Sequence, residues 1–216
     1  MSTPIYYPEF FNPSSLEDAK FIVLCSNEQD YNFRWETETQ WIKDQLISTR
    51  CIDHNSLILD WGTGVGRIAK MLIETFNCTV VGVDISESML NYAVDYVGNS
   101  EKFIPITHDK FMESTSISEF TCCIATWSLQ HSNTSELDIE KIQRALIPKG
   151  NMFVLEMSEK CVIGKENDVV VSVNDNVDNK MELAKWFNPL ILGKLPRSIT
   201  VDSIFDGSWW GFLEKK

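Results

Sequence analysis

The chain has 216 residues, 44% of them hydrophobic, and a formal net charge of −12. That length and apolar content suit one large domain. The acidic balance, with no run of lysines and arginines, disfavours nucleic acids and anionic membrane surfaces as partners, since both are gripped through a basic face. Six cysteines, at 25, 51, 78, 122, 123 and 161, show no C-x-x-C spacing. They read as reduced thiols in a cytoplasmic protein, with neither a disulfide framework nor a metal site expected. No stretch approaches the ~18 apolar residues of a membrane span, and the start lacks a charged segment followed by an apolar run.

Met1–Pro13 holds Tyr6, Tyr7, Phe10 and Phe11 among three prolines, too irregular for a strand and too aromatic for a disordered tail. Ser15-Leu16-Glu17-Asp18 has the form of a capping box opening a short helix to about Cys25. After a polar break at Ser26–Asp30, Trp35–Ser48 has helical spacing, with Trp35, Ile42 and Leu46 on one stripe. Two readings of residues 1–50 stand side by side. The helices either cover a sheet edge, or form a lid carrying Tyr6, Tyr31, Arg34 and Trp35 over a ligand.

The next stretch organises the chain: Leu57-Ile58-Leu59-Asp60-Trp61-Gly62-Thr63-Gly64-Val65-Gly66-Arg67. An apolar strand runs into an aspartate, then a loop with glycine at every second position, then a helical pattern over Ile68–Phe76. Glycines let a backbone approach a ligand closely, and the free N–H groups of a helix start suit polar or anionic groups. A dinucleotide fingerprint would place its third glycine where Arg67 stands. Thr79–Val83 is a second apolar strand ending in Asp84, whose carboxylate can accept from two ribose hydroxyls.

Ser86 is a plausible N-cap for a helix that Gly98 stops. Phe103–Thr107 is a third strand with Pro105 inside, so it belongs at a sheet edge, where a missing donor is tolerated. Phe120–Trp127 is a fourth strand. Ser135–Asp138 has the form of a second capping box, opening a helix that Pro148-Lys149-Gly150 ends, and Asn151–Met157 is the fifth strand. Alternating units of this length imply a parallel sheet with right-handed crossovers. Ser158–Lys180 is polar apart from Val169–Val171 and reads as an excursion above the sheet. Met181–Phe187 is helical until Asn188-Pro189, and Arg197–Phe205 and Ser208–Lys215 are strand-like around Asp206-Gly207, a hairpin signal.

The glycine loop, Asp84 and the closing antiparallel hairpin together resemble the class I S-adenosylmethionine-dependent methyltransferases of small-molecule type. The resemblance covers residues 55–157 by motif and reaches the C-terminus by element order. It implies an α/β fold, a Rossmann-like sandwich whose seven-stranded, mostly parallel sheet has the order 3-2-1-4-5-7-6, with a C-terminal antiparallel hairpin and N-terminal lid helices. One domain, 1–216, would divide into lid helices (1–50), cofactor-binding core (55–157), a substrate-side segment (158–195) and the terminal hairpin (196–216).

By the same resemblance the cofactor is S-adenosylmethionine, with Asp60, Trp61, Gly62, Thr63, Gly64, Gly66, Asp84, Ile85, Asp109, Lys110 and Thr126 around it. Asp84 would hold the ribose, Asp109 the adenine amino group, and Lys110 would offer its backbone N–H to the ring. The acceptor would meet Tyr6, Tyr7, Tyr31, Arg34, Trp127 and His131. His131, in Trp127-Ser128-Leu129-Gln130-His131, could take a proton from the acceptor or serve as a structural histidine. The reaction implied is methyl transfer to an oxygen, nitrogen or carbon nucleophile of a small molecule by in-line displacement, in which alignment does much of the work. Rival readings are a SAM-binding regulatory or scaffold protein without transfer activity, and another SAM-type transferase such as an aminopropyltransferase.

Overall fold

The structure, a computed structural model, describes residues 4–24, 28–98, 100–115, 118–175, 179–199 and 206–216. It begins with a two-residue strand β1 (Ile5–Tyr6), a 3-10 turn over Pro8–Phe11, and helices α1 (Leu16–Leu24) and α2 (Glu28–Thr49). Ser15 Oγ accepts from the Asp18 N–H at 3.1 Å, and the Asp18 carboxylate accepts from the Ser14 N–H at 2.8 Å, so α1 starts on a side-chain cap. α2 begins earlier than its apolar stripe suggests, because Glu28–Phe33 contain no glycine or proline to stop it. Its stripe residues Ile42 and Leu46 are fully buried.

Strands and helices then alternate: β2 (Leu57–Trp61), α3 (Arg67–Phe76), β3 (Thr79–Asp84), α4 (Glu87–Val97), β4 (Phe103–Thr107), α5 (His108–Glu113), β5 (Phe120–Thr126), α6 (Ser135–Ala145) and β6 (Leu146–Met157). Ser86 Oγ accepts from the Met89 N–H and Gly98 ends α4 with φ +91°. The tail adds β7 (Lys160–Glu166), β8 (Val169–Asp175), α7 (Asn179–Trp186), β9 (Phe187–Gly193) and β10 (Ser208–Lys215).

The main sheet has the order β4-β3-β2-β5-β6-β10-β9. Its first five strands are parallel, and β10 runs antiparallel between β6 and β9. Successive residues of each central strand point to opposite faces. Ile58, Cys122 and Phe153 join the core on one side, and Leu59, Cys123 and Val154 the core on the other. Burial on both faces is why these strands read as continuous apolar runs. Pro105 lies in β4 and Pro189 in β9, one on each edge.

Three expectations about local structure are corrected. The strand beside β10 is β9 (Phe187–Gly193), where a helix end and a proline stop were expected; Arg197–Ile199 form a 3-10 turn. The rest of the expected strand, 200–205, lies outside the described residues. Pro189 is compatible with a strand here because β9 is an edge. The capping box at Ser135 does not form. Thr134 is the N-cap without a side-chain bond, and the Asp138 carboxylate instead takes His108 Nε2 at 3.0 Å and the Ser132 hydroxyl at 2.6 Å. Finally, the polar excursion is a hairpin, β7–β8, turning at Asn167-Asp168 with φ +48° and +64°, and β1 pairs with β7 to complete a second, antiparallel sheet.

Candidate active site

Between β2 and α3 the three loop glycines have φ of +71°, +55° and +81° at 62, 64 and 66. A Cβ on Gly62 would lie 2.2 Å from Ser128 Cβ, so only hydrogen fits there. The Gly62 and Thr63 N–H groups both donate to the Val83 carbonyl, at 2.8 and 2.9 Å, and the Gly64 N–H donates to Asp84 Oδ2 at 2.9 Å. Beneath the loop, Asp60 is 1% exposed and accepts from the Thr63 hydroxyl at 2.6 Å. The Ala69 N–H in the first turn of α3 also favours its ionised form. Burial pushes the Asp60 carboxyl up to about 6 against these bonds. Much of the loop's donor capacity is therefore used internally, and the glycines also let neighbours close in, with Val23 on Gly64 and Val97 on Gly66.

The carboxyl ends of β2, β3 and β5, together with the chain after β6, enclose a cleft of about 1070 Å³. Small-molecule sites usually fall in the range of ~300–1000 Å³, so this one has room for two ligands side by side. Its walls bring together Trp61, Gly62, Thr63, Gly64, Asp84, Ile85, Asp109 and Thr126, and on the other side Tyr6, Arg34, Trp127 and His131. Four sequence candidates lie off the wall. Asp60 is under the loop, Gly66 packs on Ala93 and Val97 of α4, Tyr7 lies beneath the Lys165 ammonium in the second sheet, and Lys110 is exposed on α5. The side chain of Tyr31 lies outside the described residues.

Asp84 Oδ1 accepts from the Ser86 N–H at 3.0 Å and Oδ2 from Gly64, which fixes the carboxylate while leaving lone pairs on both oxygens. Burial raises its pKa, opposed by the N–H groups of Ser86, Gly64 and Ile85 and by the nearby His108. His108 lines the cleft beside it, its ring edge-on to Trp61. The hydrogen bond to Asp138 raises the imidazole's pKa against its partial burial.

Below the cleft sits a buried ionic cluster that joins α2 to the core. Glu38 is 0% exposed. Its carboxylate pairs with Arg67 Nη2 at 2.8 Å and Arg34 Nη2 at 3.0 Å, and accepts from Trp127 Nε1 at 2.8 Å. Arg34 Nη1 reaches the Leu24 carbonyl at 2.7 Å, and both guanidiniums leave a buried Nε without a partner. Two cations against one anion give the cluster an excess of positive charge next to the glycine loop.

The segment after β5 is held by Glu156, at the end of β6. This fully buried carboxyl accepts from the N–H groups of Ser128, Leu129 and Gln130 at 3.1, 3.0 and 2.7 Å. Burial pushes it up to about 8, with those three bonds acting the other way. A carboxyl that holds its proton more tightly folded than unfolded, where glutamate titrates near about 4.3, contributes stability that fades as pH rises toward the folded value. Glu156→Gln, neutral throughout, should therefore flatten the decline in Tm between about pH 5 and about pH 8. Thermal unfolding of both proteins across that range checks this, and parallel curves count against it.

His131 is tied at both nitrogens. Gln130 Oε1 accepts from the Met157 N–H at 2.6 Å, so Gln130 Nε2 donates to His131 Nε2 at 3.1 Å, and His131 Nδ1–H donates to the Cys161 carbonyl at 2.7 Å. Burial lowers its pKa. The neutral ring thus joins the segment after β5 to the start of β7, with no nitrogen free in this arrangement. Glu38, Asp138, Glu156 and Lys160 were not singled out from sequence. Only the Arg34–Glu38 pair left a sign there, at i,i+4 on a helix.

Residues 58–150 match the family model described as a methyltransferase domain. Residues 58–150 thus form a methyltransferase domain, a match that spans 93 of the 216 residues and falls within the mostly parallel sheet described above. Among curated relatives, N-terminal Xaa-Pro-Lys N-methyltransferase 1-B of Xenopus laevis is 26% identical over 125 residues, covering 57% of this chain and 48% of that protein. The match thus spans about half of that relative's length. Among solved structures, a protein of Pyrococcus horikoshii OT3 aligns at TM-score 0.67 and 21% identity over 88% of this chain and 93% of that one. N-methyltransferase NodS of Bradyrhizobium japonicum WM9, solved with S-adenosyl-L-homocysteine, aligns at 0.53 and 11% identity over 74% of this chain and 78% of that one. At these identities the structural likeness concerns the fold alone. No helix among the described residues is long and apolar enough to cross a membrane.

Proposed function

We propose that the chain transfers a methyl group from S-adenosylmethionine to a small-molecule acceptor held in the same cleft. The observation that carries this is the lining and size of the cleft. The glycine loop and a braced carboxylate, Asp84, line it from the β2 and β3 ends, and Trp127 and the chain after β6 line it as well, in a volume of about 1070 Å³ that exceeds a nucleoside's needs. Asp84 would accept from the ribose hydroxyls, and Trp61, Ile85 and Asp109 would border the adenine. The positive excess of Arg34 and Arg67 over Glu38 would face the methionine carboxylate, a role the sequence did not suggest.

Bound there, S-adenosylmethionine supplies an electrophilic methyl group. The chain's own residues would align the acceptor behind that methyl and exclude water. Residues 1–50 and 158–195 would cover the acceptor side, since Tyr6, Phe11, Val23 and Leu24 from the first and Lys160 and Cys161 from the second stand on its wall. The five described cysteines are all free thiols, which supports a cytoplasmic setting.

A second reading, a SAM-binding protein without transfer activity, is favoured by one observation: both nitrogens of His131 are engaged. Calorimetric titration with S-adenosyl-L-homocysteine and NAD tests the shared premise, with only the first expected to bind. Incubation of the protein with methyl-labelled cofactor and cell extract then separates the readings. A labelled small molecule supports transfer, and binding without any labelled product favours the second reading.

A further inference from the structure

Among the described residues, buried charged side chains come with partners, with one exception. Arg34, Arg67 and Glu38 satisfy one another, Asp60 has Thr63, Asp138 has His108 and Ser132, Glu156 has three N–H groups, and Glu182 has Lys185. Lys160 is 8% exposed and lines the cleft, and its ammonium makes no hydrogen bond or ion pair among the described residues. Its Nζ is also absent from the sealed, partnerless side-chain atoms, so the ammonium keeps some open surface while most of the side chain is buried. An ammonium with this little access to water and no counter-charge is left ready to pair with an anion that enters the cleft.

We infer that Lys160 is the anchor for a carboxylate on the methyl acceptor, so that the substrate class is a small acid carrying its nucleophile elsewhere in the molecule. Position keeps this group apart from the cofactor end. Lys160 comes three residues after the end of β6, and Asp84 ends β3, with β2 and β5 lying between those two strands. Its backbone is a firm platform: β7 is paired with β8 along its length, and the neighbouring Cys161 carbonyl is held by His131. Charge selects a monoanion. The cleft offers this one unpaired ammonium and is also lined by Asp138, Glu159 and Asp206, a balance that favours a monoanion over a phosphate dianion. A lysine binds such a group as a compact point charge with rotatable donors.

The inference rests on the methyltransferase reading, and the experiment keeps the two apart. Full-length protein saturated with S-adenosyl-L-homocysteine is titrated with small acids bearing an amine or hydroxyl, such as sarcosine, β-alanine and anthranilate, and with the amide of each. The expected result is that at least one acid binds, about ten-fold or more tighter than its amide, and that K160M abolishes the preference while K160R keeps part of it. Affinity of K160M for S-adenosyl-L-homocysteine should match wild type, which also reports that the variant is folded. The acid–amide comparison in wild type stands even if K160M does not fold. Equal binding of acids and amides, no binding by any probe, an acid preference surviving in K160M, or weakened S-adenosyl-L-homocysteine binding in K160M each overturn the assignment. Failure of wild type to bind S-adenosyl-L-homocysteine would instead remove the methyltransferase reading itself.

Discussion

Replacing Asp84 with alanine should weaken S-adenosyl-L-homocysteine binding by about 1.5–3 kcal/mol, the usual worth of a hydrogen bond to a charged group, or roughly 10- to 150-fold in Kd. The carboxylate is already fixed by the Gly64 and Ser86 N–H groups, so a ligand hydroxyl would meet an acceptor that needs no further ordering. The substitution also orphans the Gly64 N–H, which could loosen the loop for reasons unrelated to the ribose. Asp84→Asn separates the effects, since its amide oxygen can still accept one backbone bond but cannot accept at both positions. Asp109→Ala is the control: that side chain is 94% exposed, so solvent competes for its contact and the loss should be smaller. Calorimetry on the three variants decides the matter, and an Asp84→Ala protein with wild-type affinity would remove the ribose assignment.

The largest loss of stability is expected at Glu38. Truncation to alanine leaves two buried guanidiniums facing each other without their shared anion and strips Trp127 Nε1 of its acceptor. Removing one partner of a buried pair typically costs about 3–5 kcal/mol, a large part of the ~5–15 kcal/mol that holds a domain folded. Chemical denaturation measures it, and a loss below about 1 kcal/mol, the worth of an exposed pair, would contradict the cluster's importance. The pH dependence has a definite sign. Burial raises the Glu38 pKa, but Arg67, Arg34 and the Trp127 bond outweigh it, so the net shift is downward. A carboxyl depressed in the folded state contributes stability above its unfolded pKa and loses it as pH falls through the folded value. The gap between wild type and Glu38→Ala should accordingly narrow in acid.

This cluster also explains why the N-terminal helices belong to the site. α2 packs on α3 through Glu38 and Arg67, and Arg34 carries the bond network back to the end of α1 at Leu24. Tyr6 reaches the cleft by a different path, through the pairing of β1 with β7. Both walls of the proposed acceptor pocket are thus built from segments outside the alternating core, which is where enzymes sharing one scaffold commonly vary.

Local chemistry in the chain determines the glycine turn, Asp84 at the tip of its strand, the Ser15 and Ser86 caps, and the edge position of Pro105. Each depends on backbone conformation or on a side chain acting within a few residues, and each held because no distant group competed, as His108 did for Asp138 at the Ser135 box. The sequence could not decide which of two tail segments pairs with β10, because edge pairing depends on where a strand is delivered; Pro189 looked like a stop until an edge made its missing donor harmless. Asn167-Asp168 was a readable turn signal, but the strands around it are too polar to advertise a buried face. The tertiary structure alone decided how Asp138, Glu38, Glu156 and His131 spend their hydrogen bonds, since each has a partner far along the chain, His108, Arg67, Leu129 and Cys161 in turn, and it alone left the Lys160 ammonium without a partner among the described residues. A charge's pairing is a property of three-dimensional neighbours, and no periodicity in one dimension encodes it.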